Sequence, residues 1–129
     1  FSQKNYSLYI AEKEGKKISA LLLFYFNRTV EYYTPATIAN YRNLQPSSLI
    51  IFEAMKNAVK HGFQYWNWGG TWPAQKGVYN FKKKWGATDY QYYYFTKVYN
   101  EKLLSTNKEI ILKQYPNLYI LPFDKIKTK

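Results

Sequence analysis

The residues in this sequence best suited to chemistry are a lysine, Lys82, and a glycine pair, Gly69 and Gly70. A lysine ammonium binds phosphate or carboxylate groups, and it stabilises the oxyanion that forms when an acyl carbon becomes tetrahedral. A glycine pair lets the backbone approach a ligand closely, because no side chain stands between the two. Each feature also has a structural alternative. Lys82 is one of three consecutive lysines, and two glycines also form an ordinary turn.

Residue types that are scarce exclude several classes of site. The chain has no cysteine and a single histidine, His61. A disulfide scaffold, a thiolate zinc site, a cysteine nucleophile and a multi-histidine metal site are therefore excluded, and we expect no metal. His61 falls in the last turn of a predicted helix, just before Gly62. A histidine at that position interacts favourably with the helix dipole, so we interpret it as structural.

The charge and size of the chain bound its partners. It has 129 residues, with 19 Lys and Arg against 8 Asp and Glu and a formal net charge of +11. This excess favours polyanionic partners, although solvated surface lysines explain it equally well. No apolar stretch approaches the roughly 20 residues of a membrane span, and no signal peptide is visible. Because the chain also lacks cysteine, we expect a cytoplasmic protein.

Hydrophobic periodicity and turn residues predict the elements that position these residues. Two tight turns in succession, the first with Gly15 at positive φ, indicate an antiparallel meander of three strands. The helix that follows has an apolar stripe made of Leu49, Phe52, Ala54, Met55, Ala58 and Val59. The predicted strands cover residues 6–12, 17–26, 29–34, 63–68 and 90–99, and the predicted helices cover residues 47–61, 78–85 and 101–114. The fold class is therefore α+β, a mixed and mainly antiparallel sheet with flanking helices in the order β-β-β-α-β-α-β, plus a C-terminal helix.

Four segments in this order resemble the second half of an N-acyltransferase domain of the GNAT fold. They are the hairpin over 11–23, the helix over 43–62, Tyr65-Trp-Asn-Trp-Gly69-Gly70, and Gly77-Val-Tyr-Asn-Phe81-Lys82-Lys-Lys-Trp85-Gly86. The last two together resemble Fem-type peptidyltransferases and the related FemAB-like acetyltransferase domains. The resemblance extends over about residues 6–98.

The resemblance implies a domain organisation. It predicts an acyltransferase core over residues 1–99 and a separate C-terminal helix with a basic tail over residues 100–129. Because the chain begins with Phe1 rather than Met, we expect the core to lack its N-terminal part. A preceding domain of the same parent chain is then an expected partner.

The resemblance also implies an activity, the transfer of an acyl or aminoacyl group to a primary amine. The implied donor is an aminoacyl-tRNA or acetyl-CoA, with no tightly bound cofactor, and the implied acceptor is an amine of a cell-envelope precursor. In the Fem-type motif the lysine after phenylalanine is linked to the donor or acceptor site, which makes Lys82 the first predicted catalytic residue. Glu53 is the second, because the family pattern also has an acid there; a salt bridge along the helix is the alternative. Asn67 stands where the family often has Asp, so a family carboxylate is missing at this position.

The predicted substrate-binding residues lie around these positions: Arg42, Trp68, Gly69, Gly70, Trp72, Tyr79 and Phe81. Arg42 lies in the loop before the main helix and is predicted to meet a phosphate. That loop has no glycine whose amide would hold a pyrophosphate at the helix N-terminus, which favours a donor other than CoA or a degenerate site. Trp68 and Trp72 are interpreted as a wall for the acceptor or as core residues. Phe81 is interpreted as packing that directs Lys82.

Two other functions stay open at this point. A nucleic-acid-binding module is compatible with lysines interleaved with tyrosine and tryptophan, although no RNA-binding aromatic signature occurs. A degenerate, non-catalytic domain that binds an envelope partner is compatible with the missing loop glycines and with Asn67.

Overall fold

The structure is a computed structural model that describes residues 5–72, 75–115 and 126. The chain divides into two units, residues 1–88 and 89–129. Among the described residues, every helix is too short or too polar to cross a bilayer. The same residues contain no group of three or more side chains able to hold a metal ion.

A four-stranded sheet forms the centre of the first unit. Its strands are β1 (Tyr6–Lys13), β2 (Lys16–Phe26), β3 (Thr29–Thr37) and β4 (Tyr65–Asn67), in the spatial order β1-β2-β3-β4. The first three strands pair antiparallel and β4 pairs parallel with β3. The predicted meander and mixed sheet are therefore confirmed. Gly15 lies at φ 76° in the first hairpin turn, where a residue with a side chain would be strained.

β3 continues three residues beyond its predicted end and includes Pro35, which pairs with Leu21 of β2. Because β4 pairs with β3 only at residues 29–31, Pro35 lies on the part of β3 that β4 leaves uncovered. Proline is tolerated at such an edge because its missing N–H removes no ladder hydrogen bond there.

Helix α1 (Pro46–Lys60) covers one face of this sheet. Pro46 takes its first position, where the missing N–H has no partner to lose, and Gly62 follows the helix at φ 80° as the expected stop. The predicted apolar stripe was wrong at three residues, because Leu49, Phe52 and Val59 are more than half exposed. Ala54 and Ala58 of the predicted stripe are buried, and they share the buried face with Pro46, Ile50 and Ile51.

The core of the first unit lies between α1 and the sheet. Its fully buried side chains are those of Leu21, Leu23, Val30 and Ile51. A helix of lower burial, α2 (Lys76–Lys84), follows β4 and has no fully buried residue. The predicted basic helix is thereby confirmed, and it starts two residues earlier than expected.

The second unit differs from its predicted structure. The predicted strand over residues 90–99 was wrong, because residues 87–99 contain no strand in the described chain. Tyrosine and phenylalanine favour a strand only where a neighbouring edge pairs with it, and Phe95 is here 98% exposed.

The predicted helix over residues 101–114 is divided into a 3-10 helix (Glu101–Ser105) and α3 (Lys108–Gln114). The division follows from side-chain capping. Asn107 Oδ1 accepts the backbone N–H of Glu109 at 2.7 Å and so starts a new helix, while Thr106 is extended.

Candidate active site

The glycine segment after β4, residues 68–71, is held at its start by strand pairing. Glu31 of β3 and Asn67 of β4 are register partners, and Asn67 Nδ2 donates to Glu31 Oε2 at 2.7 Å. Asn67 Oδ1 in turn accepts the backbone N–H of Gly69 at 3.0 Å. This contact turns the chain immediately after the strand, and Gly69 lies at φ 66°, a conformation that glycine adopts without strain.

Lys82 of α2 holds the other side of this segment. Its Nζ donates to Thr71 Oγ1 at 2.8 Å, to the carbonyl oxygen of Gly70 at 3.1 Å and to that of Gly69 at 3.4 Å. The structure therefore brings together the lysine and the glycine pair that the sequence singled out. Partial burial lowers the pKa of Lys82, because removal from water disfavours the charged ammonium.

The glycine segment also presents backbone donors. The N–H of Gly69 is taken by Asn67, but the N–H groups of Gly70 and Thr71 have no hydrogen-bond acceptor among the described residues. Two adjacent backbone donors beside a lysine ammonium are a combination that stabilises negative charge developing on an oxygen.

An aromatic cluster supports the contact between Lys82 and the glycine segment. Its members are Tyr32, Trp66, Trp68, Phe81 and Trp85, with ring centroids 5.0 to 6.3 Å apart. Trp68 contacts both Phe81 and Trp85, so the cluster packs α2 against the sheet and sets the direction of the neighbouring Lys82. Burial raises the pKa of the Tyr32 phenol to about 12.

Two predicted substrate-binding residues, Trp68 and Phe81, are half-buried members of this cluster. Their contacts correspond to the packing alternative, and contact with substrate stays a prediction. Trp72 and Tyr79 are more exposed, at 38% and 41%. Tyr79 lies three residues before Lys82 on α2, so both project from one side of the helix. The ammonium of Lys83 lies 5.9 Å from the centroid of the Tyr79 ring.

The other two predicted residues lie elsewhere. Glu53 is exposed on α1 and accepts Lys56 Nζ at 3.1 Å, which is the helix-face salt bridge that the sequence left open as its alternative. Arg42 is exposed in a 3-10 helix (Ala39–Leu44) within the loop before α1. The structure groups neither residue with Lys82, and their predicted roles stay predictions.

The start of α1 is closed by its own polar contacts. Pro46 supplies no N–H at the first helical position, and the hydroxyl of Ser47 lies within hydrogen-bond distance of the Thr37 hydroxyl at 2.5 Å and of the Ser19 hydroxyl at 3.4 Å. Ser19 itself is buried and donates to the carbonyl oxygen of Ala36 at 2.8 Å. The N–H groups of Ser48 and Leu49 donate to the Gln45 carbonyl oxygen at 3.0 and 3.4 Å. With proline before them, this helix start offers few free donors to a pyrophosphate, in keeping with the absence of glycine from the loop.

Sequence reasoning missed two residues of the site, Glu31 and Thr71. Thr71 has a signal, because it directly follows the glycine pair. Glu31 has none that a single sequence reveals, since its place beside Asn67 depends on the register between β3 and β4. A carboxylate oxygen of Glu31 on the neighbouring strand lies 2.7 Å from the Asn67 amide nitrogen.

Comparisons with known proteins agree with this architecture. The model of the FemAB family matches residues 3–102. Two crystal structures of an aminoglycoside acetyltransferase from an uncultured soil metagenomic sample, one with sisomicin and one with trehalose, are similar in fold, with TM-scores of 0.61 and 0.60. Each is 14% identical, and each match covers 75% of this chain and 68% of the other. No match is found among curated proteins. The fold is GNAT-like, and family and fold together support an acyltransferase domain.

Proposed function

This chain belongs to the FemAB family, and we propose that it transfers an acyl or aminoacyl group from an activated donor to a primary amine of a cell-envelope precursor. The observation that carries the proposal is the contact of Lys82 with the glycine segment, at 2.8 to 3.4 Å. Both parts lie within the residues that the family model matches. The proposed setting is the cytoplasm.

The proposed reaction forms one bond to the acyl carbon and breaks another. The amine nitrogen attacks the carbonyl carbon and a C–N bond forms, while the carbonyl oxygen takes up negative charge. The bond from carbon to the thiolate sulfur or ribose oxygen of the donor then breaks, and the leaving group takes a proton. In this proposal the N–H groups of Gly70 and Thr71 donate to the negatively charged oxygen, and the partly desolvated Lys82 ammonium adds to its stabilisation.

We favour an aminoacyl-tRNA over acetyl-CoA as the donor. The formal net charge of +11 suits a polyanion. The start of α1 has proline at its first position, and the N–H groups of Ser48 and Leu49 donate to the Gln45 carbonyl oxygen at 3.0 and 3.4 Å, so it lacks the run of free amides that holds a pyrophosphate.

The test compares two lysines of α2. Labelled acetyl-CoA and labelled aminoacyl-tRNA are each supplied with a peptide that carries a free lysine ε-amine, and amide formation is measured for the wild type, Lys82→Met and Lys84→Met. Lys84 is the matched control, an exposed lysine on the same helix. We expect transfer from the tRNA, a loss of about 10²-fold or more for Lys82→Met, and little change for Lys84→Met.

Other results would change the proposal in defined ways. Transfer from acetyl-CoA alone would overturn the choice of donor. Equal losses in both lysine variants would overturn the role of Lys82 in favour of a general charge effect. Transfer from neither donor to any amine would favour the degenerate, non-catalytic domain.

A second candidate, nucleic-acid binding without catalysis, is favoured by one observation in the second unit. Its aromatic residues over 90–99 are largely exposed, among them Tyr90 at 86%, Phe95 at 98% and Tyr99 at 87%. Exposed rings beside lysines stack on unpaired bases. Salt-steep binding of single-stranded RNA that Tyr90→Ala and Phe95→Ala weaken, with no transfer to an amine, would favour this candidate over the transferase.

A further inference from the structure

We propose that the carboxylate of Glu31 binds the ammonium group of the acceptor and takes its proton, an inference that rests on the proposed function. The glycine segment and Lys82 provide for the negative charge on the acyl oxygen. An amine that enters as an ammonium ion also needs a group that attracts it and removes a proton before it can attack. Glu31 is the acid that the structure places at the glycine segment.

The first argument is the geometry of the two carboxylate oxygens. Oε2 accepts the Asn67 side-chain N–H at 2.7 Å, which fixes the carboxylate in place. Oε1 lies 4.0 Å from the position that a Cβ atom on Gly69 would occupy. The same position lies 4.0 Å from the backbone carbonyl oxygen of Tyr32, so the space left by the missing Cβ faces two oxygen acceptors to which an ammonium donates.

The second argument is that the charge of Glu31 is not neutralised by a neighbour. Among the described residues, Glu31 forms no ion pair, whereas Glu53 is paired with Lys56 at 3.1 Å. Lys82, the lysine at the glycine segment, directs its ammonium to Gly69, Gly70 and Thr71 instead. Within the part of the chain that the structure describes, the Glu31 carboxylate is therefore left without a cationic partner.

The third argument is the link between the two charged groups. Glu31 reaches the N–H of Gly69 through Asn67, and Lys82 reaches the carbonyl oxygen of the same residue. The Glu31 carboxylate and the Lys82 ammonium are thereby both positioned around the backbone of Gly69. Asn67 cannot take over the role of Glu31, because an amide does not accept a proton at neutral pH and its oxygen is occupied by Gly69.

The proton balance is simple. The acceptor R–NH₃⁺ gives one proton to the Glu31 carboxylate and becomes R–NH₂, which attacks the acyl carbon. The nitrogen loses its second proton as the tetrahedral intermediate collapses, and that proton leaves with the departing thiolate or ribose oxygen. Glu31 then returns its own proton to solvent, so the step needs no further reactant.

The test is Glu31→Gln in the full chain, with Glu12→Gln as the control at an exposed carboxylate of β1. Glutamine keeps an oxygen that accepts from Asn67 but has no charge and takes no proton. We expect transfer to a lysine-containing peptide to fall by roughly 10²–10⁴-fold, with a raised KM for the peptide and unchanged binding of the donor. Glu31→Asp should recover part of the loss.

Hydroxylamine as the acceptor separates this role from a structural one. It is already neutral at pH 7, so it needs no base, and Glu31→Gln should transfer to it at a rate close to that of the wild type. Equal losses for the peptide and for hydroxylamine would overturn the proposal, because a distorted site slows both. Wild-type rates in Glu31→Gln would overturn it while leaving the proposed function in place. If the unmodified chain transfers to no amine, the proposed function fails first and this role fails with it.

Discussion

Two regions of the first unit are held together by different forces. The scaffold, residues 6–60, comprises β1, β2, β3 and α1, and it contains the four fully buried side chains. The site segment, residues 65–84, comprises β4, the glycine segment and α2, and its helix has no buried residue. Apolar burial therefore stabilises the scaffold, whereas aromatic contacts and the hydrogen bonds of Lys82 hold the site segment. A region held by fewer buried contacts opens locally at lower cost, which suits the proposed role of this segment in binding a donor and an acceptor.

The largest expected effect is in the scaffold. Ile51→Ala removes a fully buried side chain from α1 and leaves a cavity, which should lower the free energy of unfolding by about 2–5 kcal/mol. Val59 on the same helix is 75% exposed, so Val59→Ala should change it by less than about 0.5 kcal/mol. Urea unfolding measures both. Similar losses for the two variants would contradict the burial pattern of α1.

The next effect is local and lies in the site segment. Lys82→Met removes three hydrogen bonds that join α2 to the glycine segment, and should lower the free energy of local opening by about 1–2 kcal/mol. Hydrogen exchange should accelerate at the amides of α2 and stay unchanged at those of β2. Lys84→Met is the control and should leave both unchanged. Faster exchange spread evenly over the scaffold would show that the two regions open together.

The aromatic cluster predicts a pH dependence. Folding raises the pKa of Tyr32 from 10.0 to about 12, so the unfolded chain loses this proton first as the pH rises. The stabilising contribution is complete below pH 10 and is lost as the pH approaches 12. Tyr32→Phe should therefore reduce the loss of stability between about pH 10 and about pH 12, measured by urea unfolding. Tyr33→Phe, at an exposed ring on the same strand, should not; an equal change would place the titration elsewhere.

The smallest effects have opposite signs in the two regions. Gly77 lies in α2 with open space around its Cα, so Gly77→Ala should stabilise the helix by about 0.5–1 kcal/mol. Gly15 lies at φ 76° in the first hairpin, so Gly15→Ala should destabilise the scaffold by about 1 kcal/mol. Thermal unfolding and hydrogen exchange of α2 together measure the pair. A stabilising Gly15→Ala would mean that the turn relaxes to another conformation.

Local features of the fold could be predicted because their causes are local. The first hairpin follows from Gly15 between two runs of β-forming residues, and the end of α1 follows from Gly62. The buried face of α1 could not be predicted in the same way, because apolar residues occur on both sides of the helix. Leu49 and Val59 fit the helical period as well as Ile50 and Ile51 do, and only contact with the sheet decides which pair is buried.

The predicted strand over residues 90–99, which the structure lacks, shows that local propensity alone does not form a strand. Its composition favours a strand, but an isolated strand leaves its backbone hydrogen bonds unpaired and gains nothing from its propensity. The predicted helix over residues 101–114 failed for a different reason. The cap that Asn107 forms is a local contact that the sequence contains, but the continuous helical pattern on both sides of it obscured this cap.

By itself, the sequence determined the meander, the helix that follows it, and the motifs around Gly69 and Lys82, because turn geometry, periodicity and residue type act over a few neighbouring residues. The tertiary structure alone decided which charged groups meet. The parallel register of β3 and β4 brings Glu31 to Asn67 across 36 residues of chain, and the packing of α2 on Trp68 brings Lys82 to the glycine segment. Such contacts depend on how separate strands and helices pair and pack, and no local sequence pattern determines that pairing.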